Sequence, residues 1–233
     1  MQRKFLFEIE EYYHVFNRGV ERRDVFLNEQ DRRRFINLLY LCNSISPVNM
    51  REVAVQGDAF AVDRKETIVQ IGAYCLMTNH FHLLMREKIE NGISVFKKIE
   101  NGISVFMKKL GTAYSMYFNT KYSRTGALFE RPFKATHASD DRHLKHLYAY
   151  IHLNPLSIQN PGWKITDGNA LPQISAEKFL REYPHSSYLY YLGNKRNEDV
   201  ILSTEAFPEY FTKQEDFESL LRDWLQPEFD FNN

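Results

Sequence analysis

Apolar and polar positions along this chain predict a small antiparallel sheet interleaved with helices. Tyr12-Tyr13-His14-Val15-Phe16-Asn17-Arg18-Gly19 is aromatic and β-branched and closes on a glycine, which reads as a first strand. A helix is expected from Asn28, because Glu29 and Asp31 place acid in its first turn and Phe35, Leu38, Leu39 and Cys42 recur at i, i+3, i+4 and i+7. Residues 44–66 are mixed and polar and read as a loop with a short strand around Arg51 to Ala54. Ile68 to Met77 and His80 to Met85 are apolar runs separated by a polar Thr78-Asn79 break, the pattern of a hairpin of buried strands.

Beyond that hairpin, nine residues recur in register: Lys88 to Phe96 and Lys98 to Phe106 are identical, within the tandem blocks 88–97 and 98–107. Two copies make a local duplication and not a repeat architecture. The second copy runs into a helical stripe through Ile103, Phe106, Met107, Leu110, Tyr114, Tyr117 and Phe118; the first copy either extends that helix or is looped out. Ser123-Arg124-Thr125-Gly126 turns the chain into an extended segment, Ala127 to His137, whose Pro132 marks an edge or bulge. Ser139-Asp140-Asp141 caps a helix in which Leu144, Leu147, Tyr148 and Ile151 share one side. His143, His146, Tyr150 and Asn154 lie about 115° away around the axis. Residues 156–233 read as a mostly helical extension of a domain spanning 1–155. It comprises a short helix capped by Ser175, an aromatic run from Tyr188 to Leu192, a last helix over Gln214–Leu225 and a frayed tail, 227–233.

Candidate chemistry begins on the strand at His80. Alternation turns His80, His82 and Leu84 to one face and Phe81, Leu83 and Met85 to the other, so two imidazoles lie side by side above an apolar layer. Such a pair can clamp one divalent cation, or it can be two hydrogen-bonded histidines in a half-exposed strand. Tyr150 and Asn154, one helical turn apart, can present a hydroxyl and an amide oxygen to a common point, or be a surface tyrosine and a helix end before Pro155. Arg124, Arg131 and Lys134 interleave with Phe129 and Phe133, a composition that suits single-stranded nucleic acid or an ordinary half-buried strand. Arg22 and Arg23, with Arg32, Arg33 and Arg34, form either a solvated face or a phosphate-binding patch.

Composition narrows the classes. A chain of 233 residues that is 43% hydrophobic can bury a sizeable core, and 30 basic against 30 acidic residues leave no overall basic field, so a nucleic-acid partner has to be held by a local patch. Cys42 and Cys75 lack metal or disulfide spacing and read as small buried hydrophobes. No apolar run is long enough to span a bilayer and the N-terminus has no apolar signal core, so a cytoplasmic location with no membrane partner is expected.

Taken together, Tyr74-Cys75-Leu76-Met77-Thr78-Asn79-His80-Phe81-His82-Leu83-Leu84 and Tyr150-Ile151-His152-Leu153-Asn154-Pro155 resemble the HUH single-tyrosine transposases, especially the REP-associated tyrosine transposases. The resemblance extends to Asn17-Arg18-Gly19, Gly102 to Met107, Gly126 to Phe129 and Tyr183 to Tyr188, over roughly residues 8–192 in consistent order. It implies an α+β fold, a ferredoxin-like antiparallel sheet with packed helices (the HUH endonuclease fold). It also implies a metal-dependent single-stranded DNA endonuclease and strand transferase, with Mg2+ or Mn2+ held by His80 and His82, Asn154 an auxiliary ligand, and Tyr150 the nucleophile forming a 5′-phosphotyrosine. Single-stranded or hairpin DNA is then the expected partner, contacted by Arg18, Arg22, Arg23, Arg124, Arg131, Lys134 and Phe129, with a homodimer possible. The competing readings are a domesticated hairpin-DNA-binding protein with little or no cleavage activity, and a metal-dependent phosphodiesterase in which the tyrosine is structural.

Overall fold

The computed structural model describes residues 7–8, 10–48, 50–90, 93–94, 101–130, 132–161 and 173–225. Four strands form one antiparallel sheet: β1 (Tyr12–Arg18), β2 (Val69–Leu76), β3 (His80–Glu87) and, at an edge, Lys134–His137, in the order β2-β3-β1-edge. Helix α1 (Glu29–Cys42) joins β1 to β2, and β2 and β3 make the hairpin expected around Thr78-Asn79. This is the ferredoxin-like βαββαβ arrangement, an α+β fold, and its sheet order puts β1 and β3, distant in sequence, side by side.

Between α1 and β2 the chain forms α2 (Met50–Gln56), a helix where a short strand was expected. The described part of the first duplicated copy is a two-stranded hairpin, β4 (Ile89–Glu90) with β5 (Ile93–Ser94), and helix α3 (Gly102–Lys121) starts inside the second copy. Glu87, buried at the end of β3, accepts from the Ile103 amide at 3.0 Å and so anchors the start of α3. The rest of the duplication lies outside the described residues. Of the segment 127–137, Lys134–His137 forms the edge strand β6 and Phe129 makes an isolated bridge to Gly19; helix α4 (Asp141–Leu153) follows, with the Asp140 carboxylate accepting from the His143 amide at 2.8 Å.

The two faces of the sheet bury different helices. Tyr13, Val15, Tyr74, Leu76, Phe81, Leu83 and Met85 pack under α1 and α3, with Phe35 and Tyr114 at the centre. On the other face Ala73, Cys75 and Leu84 meet Leu144, Leu147, Tyr148 and Ile151 of α4. Each fully buried aromatic of these layers contributes on the order of 1.5–3 kcal/mol of transfer free energy. Both cysteines are buried thiols, and burial pushes the Cys42 thiol up to about 12.

The rest of the chain comprises α5 (Leu156–Gln159), α6 (Gln173–Glu182), α7 (Tyr188–Tyr191) and α8 (Gln214–Leu225). Helix α6 starts two residues before the cap expected at Ser175. Residues 185–187 run along the outer edge of β2: the His185 carbonyl accepts from the Leu76 amide, and the Tyr74 carbonyl from the Ser187 amide. At the Gly72 bulge in β2, a β-carbon would lie 2.7 Å from the Phe207 ring, so glycine is what lets this segment close on the sheet. Ala149 and Leu153 of α4 share a core with Leu180, Tyr188, Phe217, Leu221 and Trp224. The frayed tail expected at 227–233 lies outside the described residues. Among the described residues no helix is long and apolar enough to cross a membrane.

Candidate active site

Pairing of β1 with β3 sets Phe16 opposite His82 and Arg18 opposite His80, so His14, Phe16 and Arg18 share a sheet face with His80, His82 and Leu84. Helix α4 crosses this face. Its Tyr150 ring stands edge-on to both His82 and His14, with ring centroids 5.5 Å apart in each case, and the His80 and His82 rings are 4.8 Å apart at 85°. A cleft of about 450 Å³ opens here, lined by Tyr150, His80, His82, Arg18, Arg22 and Lys134 together with Phe16, Asn17, Asn79 and Glu130. The expected tyrosine, both histidines and three of the expected cations therefore meet in one place.

The ring nitrogens carry information about what this place can hold. His82 Nδ1 lies 2.8 Å from His14 Nε2, and His80 Nδ1 lies 2.6 Å from Asn79 Oδ1. With both Nδ1 atoms so engaged, coordination by either ring would run through Nε2, the arrangement in which a ligating histidine is oriented by a hydrogen bond from its other nitrogen. Two imidazoles can hold a divalent cation. Among the described residues no three His, Cys, Asp or Glu side chains converge as a metal cluster. Asn154, the expected auxiliary ligand, is not part of the cleft lining; its Nδ2 donates to the Tyr150 carbonyl at 2.8 Å at the end of α4. Burial pushes the Tyr150 phenol above the usual tyrosine range, and a side-chain hydrogen bond with Asn154 opposes that shift.

Cationic residues divide into those that face the cleft and those that do not. Arg18 pairs with Glu130 at 2.9 Å, both side chains about a third exposed, and such a pair is worth no more than about 1 kcal/mol, so an incoming phosphate can compete for the guanidinium. Lys134 and Arg22 are exposed. Arg23 is absent from the lining and turns back onto the Val20 carbonyl and Glu21. Arg124 is tied to Asn119 and lies over the Phe118 ring at the end of α3. Phe129, expected as a stacking platform for bases or as a core-facing ring of a half-buried strand, is buried in the layer under α1 and α3, against Phe81 and Tyr114. Arg131 lies outside the described residues. His143 and His146, which share the helix side of Tyr150, stay outside the lining: His143 bonds Ser139, and His146 packs on Trp224 at 4.2 Å.

His14, Asn79 and the further lining residues Phe16, Asn17 and Glu130 were not singled out by sequence reasoning as site residues. The signal for His14 was its alternation with Phe16 and Arg18, which acquires meaning only once β1 is known to pair with β3. Gly19 also matters, because a β-carbon there would lie 2.2 Å from the Arg23 carbonyl oxygen and 2.9 Å from Val25 Cγ1. Gly19→Ala is expected to displace this loop and destabilise the protein by about 1–3 kcal/mol, as overpacking does. An unchanged urea midpoint would show that the loop yields.

No family model matches the chain, and no curated protein does. Among solved structures it is similar to a REP-associated tyrosine transposase bound to a REP hairpin, at 12% identity and a TM-score of 0.46, over 85% of this chain and 90% of that one. It is also similar to the tRNA(His) guanylyltransferase of Saccharomyces cerevisiae, at 12% identity and a TM-score of 0.36, over 93% of this chain and 86% of that one. Likenesses this distant carry no argument about chemistry, which has to come from the residues of the cleft.

Proposed function

We propose that this chain is a single-stranded DNA strand transferase of the HUH single-tyrosine class, with residues 1–155 as its catalytic domain. The observation that supports this reading is the convergence of Tyr150 from α4 with His80 and His82 from β3 in a cleft bordered by Arg18, Arg22 and Lys134. In this reading His80 and His82 hold Mg2+ or Mn2+, which when bound supplies Lewis-acid polarisation of a non-bridging phosphate oxygen. Arg18, Arg22 and Lys134 hold flanking phosphates of the strand. Tyr150 Oη attacks the scissile phosphorus, the bond to the 3′ oxygen breaks, the phenol proton is released to water, and the departing 3′ oxygen takes one up. The products are a 5′-phosphotyrosine at Tyr150 and a free 3′-hydroxyl. The new ester conserves the energy of the phosphodiester, so a 3′-hydroxyl can attack it and rejoin DNA in transposition without ATP.

A free phenol with a pKa near 10 is ionised only to about one part in a thousand at pH 7, and burial of Tyr150 acts further against the phenolate. Spontaneous attack is therefore slow, and the reaction is expected to depend on added Mn2+. The test is incubation with end-labelled single-stranded or hairpin DNA and Mn2+, followed by denaturing electrophoresis. A label that migrates with the protein supports strand transfer. Binding without an adduct points to a DNA-binding protein that does not cleave, and overturns the proposal.

A further inference from the structure

The side chain of Asn79 touches two parts of the cleft at once. Its Nδ2 donates to the Arg22 carbonyl at 3.0 Å and its Oδ1 lies 2.6 Å from His80 Nδ1. A carbonyl oxygen only accepts, so the amide face turned to Arg22 must be the NH2 group, and the face turned to His80 is then the oxygen. That oxygen also only accepts. His80 Nδ1 must therefore carry the hydrogen, which puts the ring's acceptor lone pair on Nε2.

The Arg22 side of the same amide holds a strained loop. Glu21 and Arg22 are consecutive non-glycine residues at φ of 59°, in the left-handed region, and each conformation of this kind costs on the order of 1–3 kcal/mol unless its surroundings enforce it. The enforcing contacts come largely from the β2–β3 turn: the Gly19 amide donates to the Asn79 carbonyl at 2.8 Å, the Val25 and Phe26 amides donate to the Thr78 carbonyl, and Asn79 Nδ2 holds the Arg22 carbonyl. Released from that amide, the loop has a route to relax and to carry the Arg22 guanidinium away from the cleft.

We propose that Asn79 is a positioning residue that couples the two halves of the site: its oxygen orients His80 for a cation and its nitrogen holds the loop that aims Arg22 at a phosphate of the bound strand. This rests on the reading of the cleft as a DNA site, and it makes Asn79 a determinant of both metal and phosphate binding although it touches neither.

Two binding measurements test it. Mn2+ affinity is read from the electron paramagnetic resonance signal of the free ion, and oligonucleotide affinity is measured in EDTA across a salt series. Asn79→Ala is expected to weaken Mn2+ binding about 10–100-fold, the usual effect of losing the partner that orients a ligating histidine, while Arg22→Ala leaves it unchanged. Each substitution is expected to lower the salt slope of oligonucleotide binding by about one phosphate contact, and the double variant by no more than Arg22→Ala alone. Asn79→Asp keeps the oxygen that faces His80 and loses the donor to Arg22, so it should retain Mn2+ affinity and weaken DNA binding. Additive effects in the double variant, or equal loss of Mn2+ affinity in Asn79→Ala and Asn79→Asp, overturn the coupling while leaving the DNA reading in place. A native protein that binds neither Mn2+ nor oligonucleotide removes both.

Discussion

Tyr150→Phe is expected to abolish the covalent DNA adduct and leave the cleft standing. The phenylalanine ring keeps the edge-on contacts with His14 and His82, whose ring centroids lie 5.5 Å from that of Tyr150. Asn154 keeps its bond to the backbone carbonyl of residue 150, because that bond does not involve the substituted side chain. The phenol oxygen is removed, and with it the side-chain hydrogen bond between the phenol and Asn154. With no atom left to form the phosphate ester, adduct yield should fall below detection, on the order of 10³-fold or more, whereas loss of one half-buried hydroxyl changes stability by only about 1 kcal/mol. Oligonucleotide binding in EDTA should be unchanged, since the cations that border the cleft are untouched. An adduct that survives the substitution would move the nucleophile elsewhere. Cleavage that survives without an adduct would instead favour a hydrolytic phosphodiesterase in which Tyr150 is structural.

What the sequence revealed of this site follows from the range over which its patterns act. His80 and His82 were legible because strand alternation is a two-residue rule, and Tyr150 because helical phase is fixed within a few turns. His14 was not legible as a site residue, because its contact with His82 spans 68 positions and depends on β1 pairing with β3 and not with its sequence neighbours. The aromatic and basic residues of 127–137 fitted rings stacked on bases and rings turned into the core equally well. Phe129 bridges to Gly19 and its ring lies in the core, a tertiary outcome between two readings that composition alone does not decide. At Arg51 to Ala54 the alternation was too short to separate strand from helix, and neighbouring helix-forming Met50, Glu52, Ala54 and Gln56 carried the segment into α2. His146 shared the phase of Tyr150, yet α8 sets Trp224 against its ring, so a part of the chain beyond the expected domain decides what that histidine faces.

Acidification should weaken the fold, with His152 a principal source. This side chain is fully buried where α4 meets the 185–187 strip: Nδ1 lies 2.8 Å from the Tyr148 carbonyl, so it carries the hydrogen, and Nε2 lies 2.7 Å from Ser187 Oγ. Burial lowers its pKa from 6.5 to about 4, against a smaller opposing effect of the Tyr148 carbonyl. The unfolded chain therefore binds this proton more readily than the native protein does. The stabilisation from a neutral His152 is complete above pH 6.5, declines as pH falls from there, and is gone below about 4, amounting to about 3 kcal/mol. His185, lowered to about 4 by burial and by the charges of Arg32 and Arg196, acts in the same direction. His152→Gln can still donate to the Tyr148 carbonyl and accept from Ser187, but it has no proton to gain. Urea unfolding at a series of pH values should show the native protein losing about 3 kcal/mol more than this variant between pH 6.5 and 4. Parallel stability curves for the two proteins would mean that His152 is not the group whose protonation the fold resists.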